Sequence, residues 1–314
     1  MGNIIICGAP RAGTTSLYRY LGSHPLVATS SRKELNYFLG GGYIKNNFEA
    51  SEHSEREYLS LFDGFNRKDE WTLEASPSYM HPGYASTVAK YICQLIPDAR
   101  IVMVLRNPSS RLYSQFMGLK ERAGQVKENV TFADFVAILL GNGELENIGI
   151  DAKIKHLVRE GLMVGAYAEV IEKYLRFFLP KNIHIVFTDD LEKCPERSLK
   201  AICDWLGISS EIFNKFDYVI ENKMVLAKNN QLYRFALTVN HWLEPILNRT
   251  PKIRNSLRKV HALLNSTTGR CIESDVGTKI LLDRFYLAYN KDLNLLLKQH
   301  WPQLEQPDWL NKVL

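Results

Sequence analysis

The stretch "IIICGAPRAGTTSLYRYL" (Ile4–Leu21) decides the fold of this chain. Its apolar start (Ile4–Cys7) predicts a buried β-strand, and its end (Thr14–Leu21) predicts a helix. Gly8 and Gly13 allow the turn between strand and helix to approach an anion closely. Strand, glycine loop and helix in this order are typical of a P-loop, in which backbone N–H groups cradle a phosphate.

The loop differs from the P-loop of an NTPase in its cation. The NTPase pattern G-x-x-x-x-G-K-[ST] requires lysine after the second glycine, but Thr14 stands there and the positive charge lies at Arg11. The apolar strand "RIVMVL" is followed by Arg106, where a magnesium-binding aspartate would be needed. Ser114 lies eight residues further on. We therefore expect two phosphate sites, one at the glycine loop and one at Arg106 and Ser114, and no metal.

Composition narrows the class of protein. The chain has 314 residues, 46% of them hydrophobic, and a net charge of +5, so we expect a folded globular protein and no nucleic-acid partner. Five scattered cysteines predict free thiols in a reducing compartment. No apolar run approaches the roughly 18 residues of a membrane span, and the first strand leaves no room for a signal peptide. The predicted location is cytoplasmic, without a transmembrane segment.

The first two thirds of the chain alternate strands and helices. Further strands are predicted at Trp71–Glu74, Arg100–Leu105 and Asn182–Phe187. Alternation of this kind is typical of an α/β fold in three layers, here a P-loop-like parallel sheet flanked by helices. The helices between and after these strands are predicted at Ala85–Ile96, Ser109–Glu121, Ala166–Phe178 and Pro195–Leu206.

After Gly207 the strand pattern stops. Helices are predicted at Gln231–Leu247, Pro251–Leu264 and Gly277–Leu297, as a C-terminal helical extension of the same domain. The whole chain, 1–314, is therefore predicted to be one domain. Its helical region at about 208–270 would shape a ligand pocket.

Five segments resemble one enzyme family. "GAPRAGTTSLYRYL" (8–21) and "VLRNPSSRLYSQF" (104–116) resemble the 5′-phosphosulfate loop and the 3′-phosphate motif of sulfotransferases that use 3′-phosphoadenosine 5′-phosphosulfate (PAPS). "KELNYF" (33–38), "LEASPSY" (73–79) and "TTGRCI" (267–272) are similar to segments of the carbohydrate, heparan-type branch. The resemblance extends from about Ile4 to Leu297. Together with the missing membrane segment, it implies a soluble, bacterial-type member.

The resemblance implies the residues that hold the nucleotide. Arg106 and Ser114 would bind the 3′-phosphate, and the pair Gly269 and Arg270 would also contact the nucleotide. The family usually has lysine where this chain has Arg11, so a planar cation replaces a point charge. The 5′-phosphosulfate would lie on Gly8, Ala9, Pro10, Arg11, Ala12, Gly13, Thr14 and Thr15.

Catalytic roles also follow from the resemblance. Glu34 would be the general base that takes a proton from the acceptor, and Arg11 would act on the leaving phosphate. Three roles are open for Lys33: it would orient the sulfuryl group, form an ion pair with Glu34, or be a solvated surface lysine. His81 is a rival base.

Three residues are candidates for the acceptor site. These are Glu74, Ser76 and His81, although Glu74 and Ser76 also fit the roles of turn and cap residues. The heparan-type branch often has lysine where Ala75 stands, so one basic contact to the acceptor or sulfuryl group is absent. Arg111, three residues before Ser114, would either reinforce the phosphate site or hold the helix against an acidic neighbour.

The predicted function is transfer of the sulfuryl group of PAPS to a hydroxyl or amine of a small-molecule or carbohydrate acceptor, with PAP as product. The alternative is a P-loop kinase acting on a small acceptor, which would depend on magnesium. A nucleotide-binding module without catalysis is a third hypothesis, which the presence of Arg11, Glu34, Arg106 and Ser114 disfavours. Oligomeric state and the identity of the acceptor stay open.

Overall fold

The structure is a computed structural model, and its centre is a five-stranded parallel sheet. The strand order is β2-β3-β1-β4-β5, and every neighbouring pair is parallel. The strands are β1 (Gly2–Gly8), β2 (Val27–Thr29), β3 (Trp71–Ala75), β4 (Arg100–Leu105) and β5 (Ile183–Phe187). The structure describes residues 2–39, 55–62, 71–121, 125–152, 154–216, 218, 225–227, 266–268 and 276–311.

The central strands are apolar along their length because helices cover both faces of the sheet. In β1, Ile4, Ile5, Ile6 and Cys7 are all fully buried, and β4 is fully buried from its second residue onward. The predicted three-layer α/β fold is therefore confirmed. β2 was not predicted, since three residues are too short to show a period and its pairing with β3 is a tertiary contact.

Helices connect the strands and follow them. The predicted helices are present with ends shifted by at most a few residues, apart from those that lie outside the described residues. The helices are α1 (Thr14–Leu21), α2 (Glu55–Leu59), α3 (Ala85–Leu95), α4 (Pro108–Glu121), α5 (Phe132–Leu139), α6 (Lys155–Arg159), α7 (Tyr167–Leu175), α8 (Thr188–Lys193), α9 (Pro195–Leu206), α10 (Val276–His300) and α11 (Asp308–Asn311).

The C-terminal part matches the sequence prediction only in places. α10 packs against α7 and α4, which confirms the last predicted helix as part of the same fold. The predicted helices Gln231–Leu247 and Pro251–Leu264 lie outside the described residues. The expectation that no strand follows Gly207 was wrong: β6 (Val225–Ala227) and β7 (Ser266–Thr268) form an antiparallel pair. Strands of three residues from distant parts of the chain carry no readable pattern.

Two further features bear on the expectations from composition. Within the described ranges, no helix is both long and apolar enough to span a bilayer. The four described cysteines are free; Cys7 and Cys203 are buried, whereas Cys194 is exposed.

Candidate active site

The glycine loop lies at the carboxyl ends of the central strands. Its backbone is tied to the sheet by the Ala9 N–H, which donates to the carbonyl of Val104 at 2.8 Å. The Thr188 hydroxyl, just after β5, donates to the carbonyl of Ala12 at 2.7 Å. Gly8 has φ 151°, and a Cβ there would stand 2.8 Å from the carbonyl oxygen of Pro77, so only glycine fits.

The start of α1 has the features of an anion-binding helix terminus. Gly13 precedes the helix with φ 96°, and a Cβ on it would meet only Leu191, at 3.5 Å. The first N–H groups of a helix have no acceptor within that helix. Since the first turn of α1 also has no acidic side chain, these N–H groups and the helix dipole favour a negative group there.

Arg11, Arg106 and Ser114 form one cluster, which we call the arginine cluster. Arg11 Nε donates to Ser114 Oγ at 3.2 Å, and Arg106 Nη1 donates to the carbonyl of Arg11 at 3.0 Å. A Cβ at Gly118 on α4 would stand 3.0 Å from Cζ of Arg11, so the guanidinium lies directly over this glycine. The residues assigned to the two expected phosphate sites are thus in direct contact through Arg11.

Buried side chains hold the arginine cluster and α4 in place. The hydroxyl of Tyr167 donates to the carbonyl of Arg106 at 2.8 Å. Arg111 is fully buried and donates to the carbonyl of Gly161 and, at 2.9 Å, to Oε1 of Gln115. Of the two roles considered for Arg111, these contacts match holding the helix, with a carbonyl as the partner instead of an acidic residue.

Glu34 lies in a loop that is attached to β3 and the turn after it. Its φ is 65°, and its N–H donates to the carbonyl of Ala75 at 3.0 Å. Two residues on, the Asn36 N–H donates to Ser76 Oγ at 3.0 Å. The Glu34 side chain is 50% exposed, and Lys33 Nζ lies 2.6 Å from its Oε1. Among the three roles left open for Lys33, the structure therefore contains the ion pair with Glu34.

Glu74 and Ser76 are fully buried and do not line the cavity that contains Glu34. The Ser76 hydroxyl accepts a hydrogen bond from the Asn36 N–H and so attaches the Glu34 loop to the turn after β3. Burial raises the pKa of Glu74 to about 8, although the nearby Tyr79 hydroxyl opposes the rise. Tyr79 in turn accepts a hydrogen bond from the Phe38 N–H at 3.2 Å. Glu74 therefore lies in the layer on which the Glu34 loop rests.

His81 is buried and stacks on Tyr84, with ring centroids 4.9 Å apart. Its Nδ1 is 3.4 Å from Oε2 of Glu160, and neither ring nitrogen makes a hydrogen bond with a described residue. Burial lowers the pKa of His81, and the Glu160 carboxylate opposes this. Burial thus favours the neutral form of the ring, which lies in the wall of the same cavity.

One cavity of about 730 Å³ joins these parts, which is within the usual range of about 300–1,000 Å³ for small-molecule sites. Gly8, Ala9 and Ala12 form the loop backbone behind it, and Gly269 and Arg270 lie outside the described residues. The predicted site residues that line the cavity are Pro10, Arg11, Gly13, Thr14, Thr15, Lys33, Glu34, His81, Arg106 and Ser114.

Sequence patterns missed several residues that build the site. Thr188 and Tyr79 act through hydrogen bonds to backbone groups that are distant in sequence. Gln115 lies within the segment 104–116 but was assigned no role, and Gln125 belongs to no motif; both line the cavity. Only Thr188 had a readable signal, because a hydroxyl directly after a buried parallel strand is expected at the carboxyl edge of the sheet, where ligands bind.

Known proteins share both sequence and fold with this chain. The bifunctional heparan sulfate N-deacetylase/N-sulfotransferase 1 of Caenorhabditis briggsae is 26% identical over 214 residues, which are 66% of this chain and 22% of the relative. The Mus musculus protein of the same name is 26% identical over 320 residues, covering 99% of this chain and 31% of the relative. The chain spans less than a third of the length of these relatives.

A solved structure and a family profile extend the comparison. The crystal structure of a sulfotransferase from Alicyclobacillus acidocaldarius superposes with a TM-score of 0.54 at 25% identity, covering 79% of this chain and 94% of that chain. Residues 2–231 match the profile described as Sulfotransferase domain. Since this match includes the glycine loop, the Glu34 loop and the arginine cluster, the chain belongs to the sulfotransferase family.

Proposed function

We propose that this enzyme moves the sulfuryl group of PAPS to a hydroxyl or amine of a small-molecule or carbohydrate acceptor and releases PAP. The observation that carries the proposal is the single cavity that joins the anion-binding loop and the arginine cluster to Glu34. Membership of the sulfotransferase family argues against the kinase alternative.

The residues of the loop and of the arginine cluster fit a nucleotide with two separate phosphates. The N–H groups at the start of α1 would take the 5′-phosphosulfate together with Thr14, Thr15 and Arg11. Arg106 and Ser114 would take the 3′-phosphate. Arg106 has no carboxylate partner among the described residues, so its charge is available to a phosphate.

Bound PAPS would supply a sulfuryl group that is bonded to the 5′-phosphate, which is a good leaving group. Glu34 takes the proton from the acceptor as the acceptor atom forms its bond to sulfur and the bond from sulfur to the 5′-phosphate oxygen breaks. Arg11 and the loop N–H groups stabilise the charge that develops on the leaving phosphate. Lys33, through its ion pair, holds the Glu34 carboxylate in one orientation.

The class of acceptor draws support from the relatives. Their names identify them as heparan sulfate N-sulfotransferases, which supports a carbohydrate amine as one candidate. We propose that residues 1–314 form a single sulfotransferase domain and that the region at about 208–270, most of which lies outside the described residues, shapes the acceptor pocket. Contact of Gly269 and Arg270 with the nucleotide is part of the same proposal.

Binding of PAP tests the nucleotide site directly. We expect PAP to bind in excess EDTA, measured by calorimetry, because the cationic side chains and N–H groups replace a metal. Arg106→Ala should weaken PAP at least about 10-fold, since a charge-assisted contact is lost. The same variant should weaken adenosine 5′-phosphosulfate much less, because that ligand lacks the 3′-phosphate.

Arg100 offers a matched control at the opposite end of the same strand. It donates to Oδ1 of Asn182 and does not line the cavity, so Arg100→Ala should leave PAP affinity unchanged. Loss of PAP binding on chelation would refute the proposed metal-independent site. Equal losses of both nucleotides in Arg106→Ala would show that Arg106 does not hold the 3′-phosphate.

A further inference from the structure

The wall of the cavity around His81 is apolar, in contrast to the glycine loop. Its side chains come from the turn before α3, the end of α4, α6 and the turn that follows α6. Leu157 on α6 is a large apolar side chain that lines the cavity and is only half-buried. The apolar side chains of this wall are Tyr84, Leu119, Ile154, Leu157, Val158 and Val164.

Three side chains in the same wall carry polar atoms with unmet hydrogen-bonding capacity. The two ring nitrogens of His81, Nε of Arg111 and Oε1 of Gln125 are buried and have no hydrogen-bond partner among the described residues. Buried polar groups in folded proteins are nearly always paired, by protein or by a bound molecule. The side chains that bear these groups all line the cavity, so a ligand in this part of it would supply partners.

The cations of this wall have little free capacity for a ligand with several negative charges. The terminal nitrogens of Arg111 are engaged by Gln115 and Gly161, so that Nε is its nitrogen without a partner among the described residues. Lys33 is paired with Glu34 at 2.6 Å. A polyanionic saccharide would therefore find few free cationic donors among the described residues of the wall, and electrostatic complementarity favours a ligand with little charge.

We propose that the acceptor is a neutral hydroxyl compound with an apolar body, which packs on the wall around Leu157. Its reacting hydroxyl faces Glu34, and a polar substituent bonds to His81 and Gln125. The inference rests on the proposed function and narrows it, because an apolar body against Leu157 and Val158 excludes highly charged glycan chains as preferred acceptors. The neutral imidazole of His81 both donates and accepts a hydrogen bond, which suits a hydroxyl or amide group.

A panel of acceptors with sulfur-labelled PAPS tests this class. The panel contains naphthol and octanol as neutral apolar alcohols, methyl glucoside as a neutral polar alcohol, and a glucuronate-containing hexasaccharide as the anionic acceptor. We expect kcat/KM for naphthol or octanol to exceed that for the other two by at least about 10-fold, the scale on which apolar pockets discriminate.

Variants of Leu157 locate the effect. Leu157→Asp should raise KM for naphthol at least about 10-fold and leave PAP affinity unchanged. Leu157→Gln, a neutral change of similar size, keeps the test valid if the charged variant does not fold. Leu179→Asp is the matched control, because Leu179 is 61% exposed and lies outside this cavity. That variant should behave as the parent.

The outcomes separate this inference from the proposed function. A preference for the hexasaccharide, or an unchanged KM for naphthol in both Leu157 variants, would overturn the inference. Failure of the parent to sulfate either apolar alcohol, with PAP still bound in EDTA, would also overturn it while leaving the nucleotide site in place. Loss of PAP binding in EDTA would instead overturn the proposed function.

Discussion

The two ends of the cavity are constructed in different ways. At the end proposed to bind the nucleotide, called here the nucleotide end, the loop lies on the ends of β1, β4 and β5 and is tied to them by Ala9 and Thr188. At the end proposed to bind the acceptor, called here the acceptor end, Glu34 has a left-handed backbone conformation on a loop that is attached to the turn after β3. The cavity wall there includes residues of α6, a helix of five residues.

This difference separates nucleotide binding from acceptor chemistry. The nucleotide end takes its geometry from a parallel sheet, in which β1 and β4 are buried and paired on both sides. The acceptor end depends on single hydrogen bonds between segments distant in the chain. Substitutions at the acceptor end should therefore change turnover or acceptor choice while PAP still binds.

Substitution of Glu34 gives the largest expected effect. Glu34→Gln keeps the size of the side chain but cannot accept a proton at neutral pH. With a hydroxyl acceptor that the parent turns over, kcat should fall by about 10²- to 10⁴-fold, the usual contribution of a general base. PAP affinity should stay as in the parent, because Glu34 lies at the acceptor end. Steady-state kinetics and calorimetry measure the two quantities.

His81→Ala is the comparison variant for this test. It removes the rival base and should change KM for the acceptor more than kcat. If Glu34→Gln kept near-full turnover on a hydroxyl acceptor while His81→Ala abolished it, His81 would be the base. A parallel loss of PAP affinity in Glu34→Gln would break the separation of the two ends.

Arg11 is expected to give the next largest effect, because it contacts both parts of the nucleotide end. Arg11→Ala should lower kcat by about 10²- to 10³-fold, since a charged donor to the leaving phosphate disappears. Arg11→Lys should keep partial activity, because it retains the charge but not the fork of donors. Arg19 on α1 is exposed and does not line the cavity, so Arg19→Ala is the control.

Turnover of Arg11→Ala at the parent rate would contradict contact between the loop and the phosphosulfate. Full activity of Arg11→Lys would show that the fork of donors is not needed. Either result is read from steady-state kinetics with saturating PAPS.

The smallest expected effect concerns the layer below the acceptor end, where Glu74 is buried. Its pKa in the folded chain is about 8, above the ordinary 4.5, so the folded protein binds a proton that the unfolded chain has released. The free energy of unfolding should therefore fall as pH rises from about 5 to about 8. Glu74→Gln stays neutral across this window and should flatten the fall.

Urea unfolding at several pH values measures this slope. Glu169→Gln is the matched control, because Glu169 is exposed on α7, and it should keep the slope of the parent. The same slope in Glu74→Gln and in the parent would show that Glu74 does not hold the proton.

The contrast between the nucleotide end and the acceptor end also explains which features can be predicted from the sequence. The parallel sheet, the glycine loop, Arg106 and Ser114 are local patterns, because strands and loop motifs are contiguous in the chain. The position of Glu74 below the cavity was not predicted. Alternation along β3 does not reveal which face of the strand looks toward the core when both faces are buried.

The contact between Arg11 and Ser114 was also not predicted. Sequence spacing assigned the two residues to different phosphates, but an arginine side chain is long enough to reach from one site to the other. The apolar wall around Leu157 carries no motif, since its members come from separate elements. Such walls become visible only when the chain is folded.

Gly118 has a consequence for how this site could change over time. A methyl group there would stand 3.0 Å from Cζ of Arg11, so the guanidinium would have to shift by a few tenths of an ångström. A longer side chain at this position would occupy the place that the guanidinium now fills. Substitutions at residues 11 and 118 are therefore coupled. A larger side chain at residue 118 would require a shorter or differently oriented cation at residue 11.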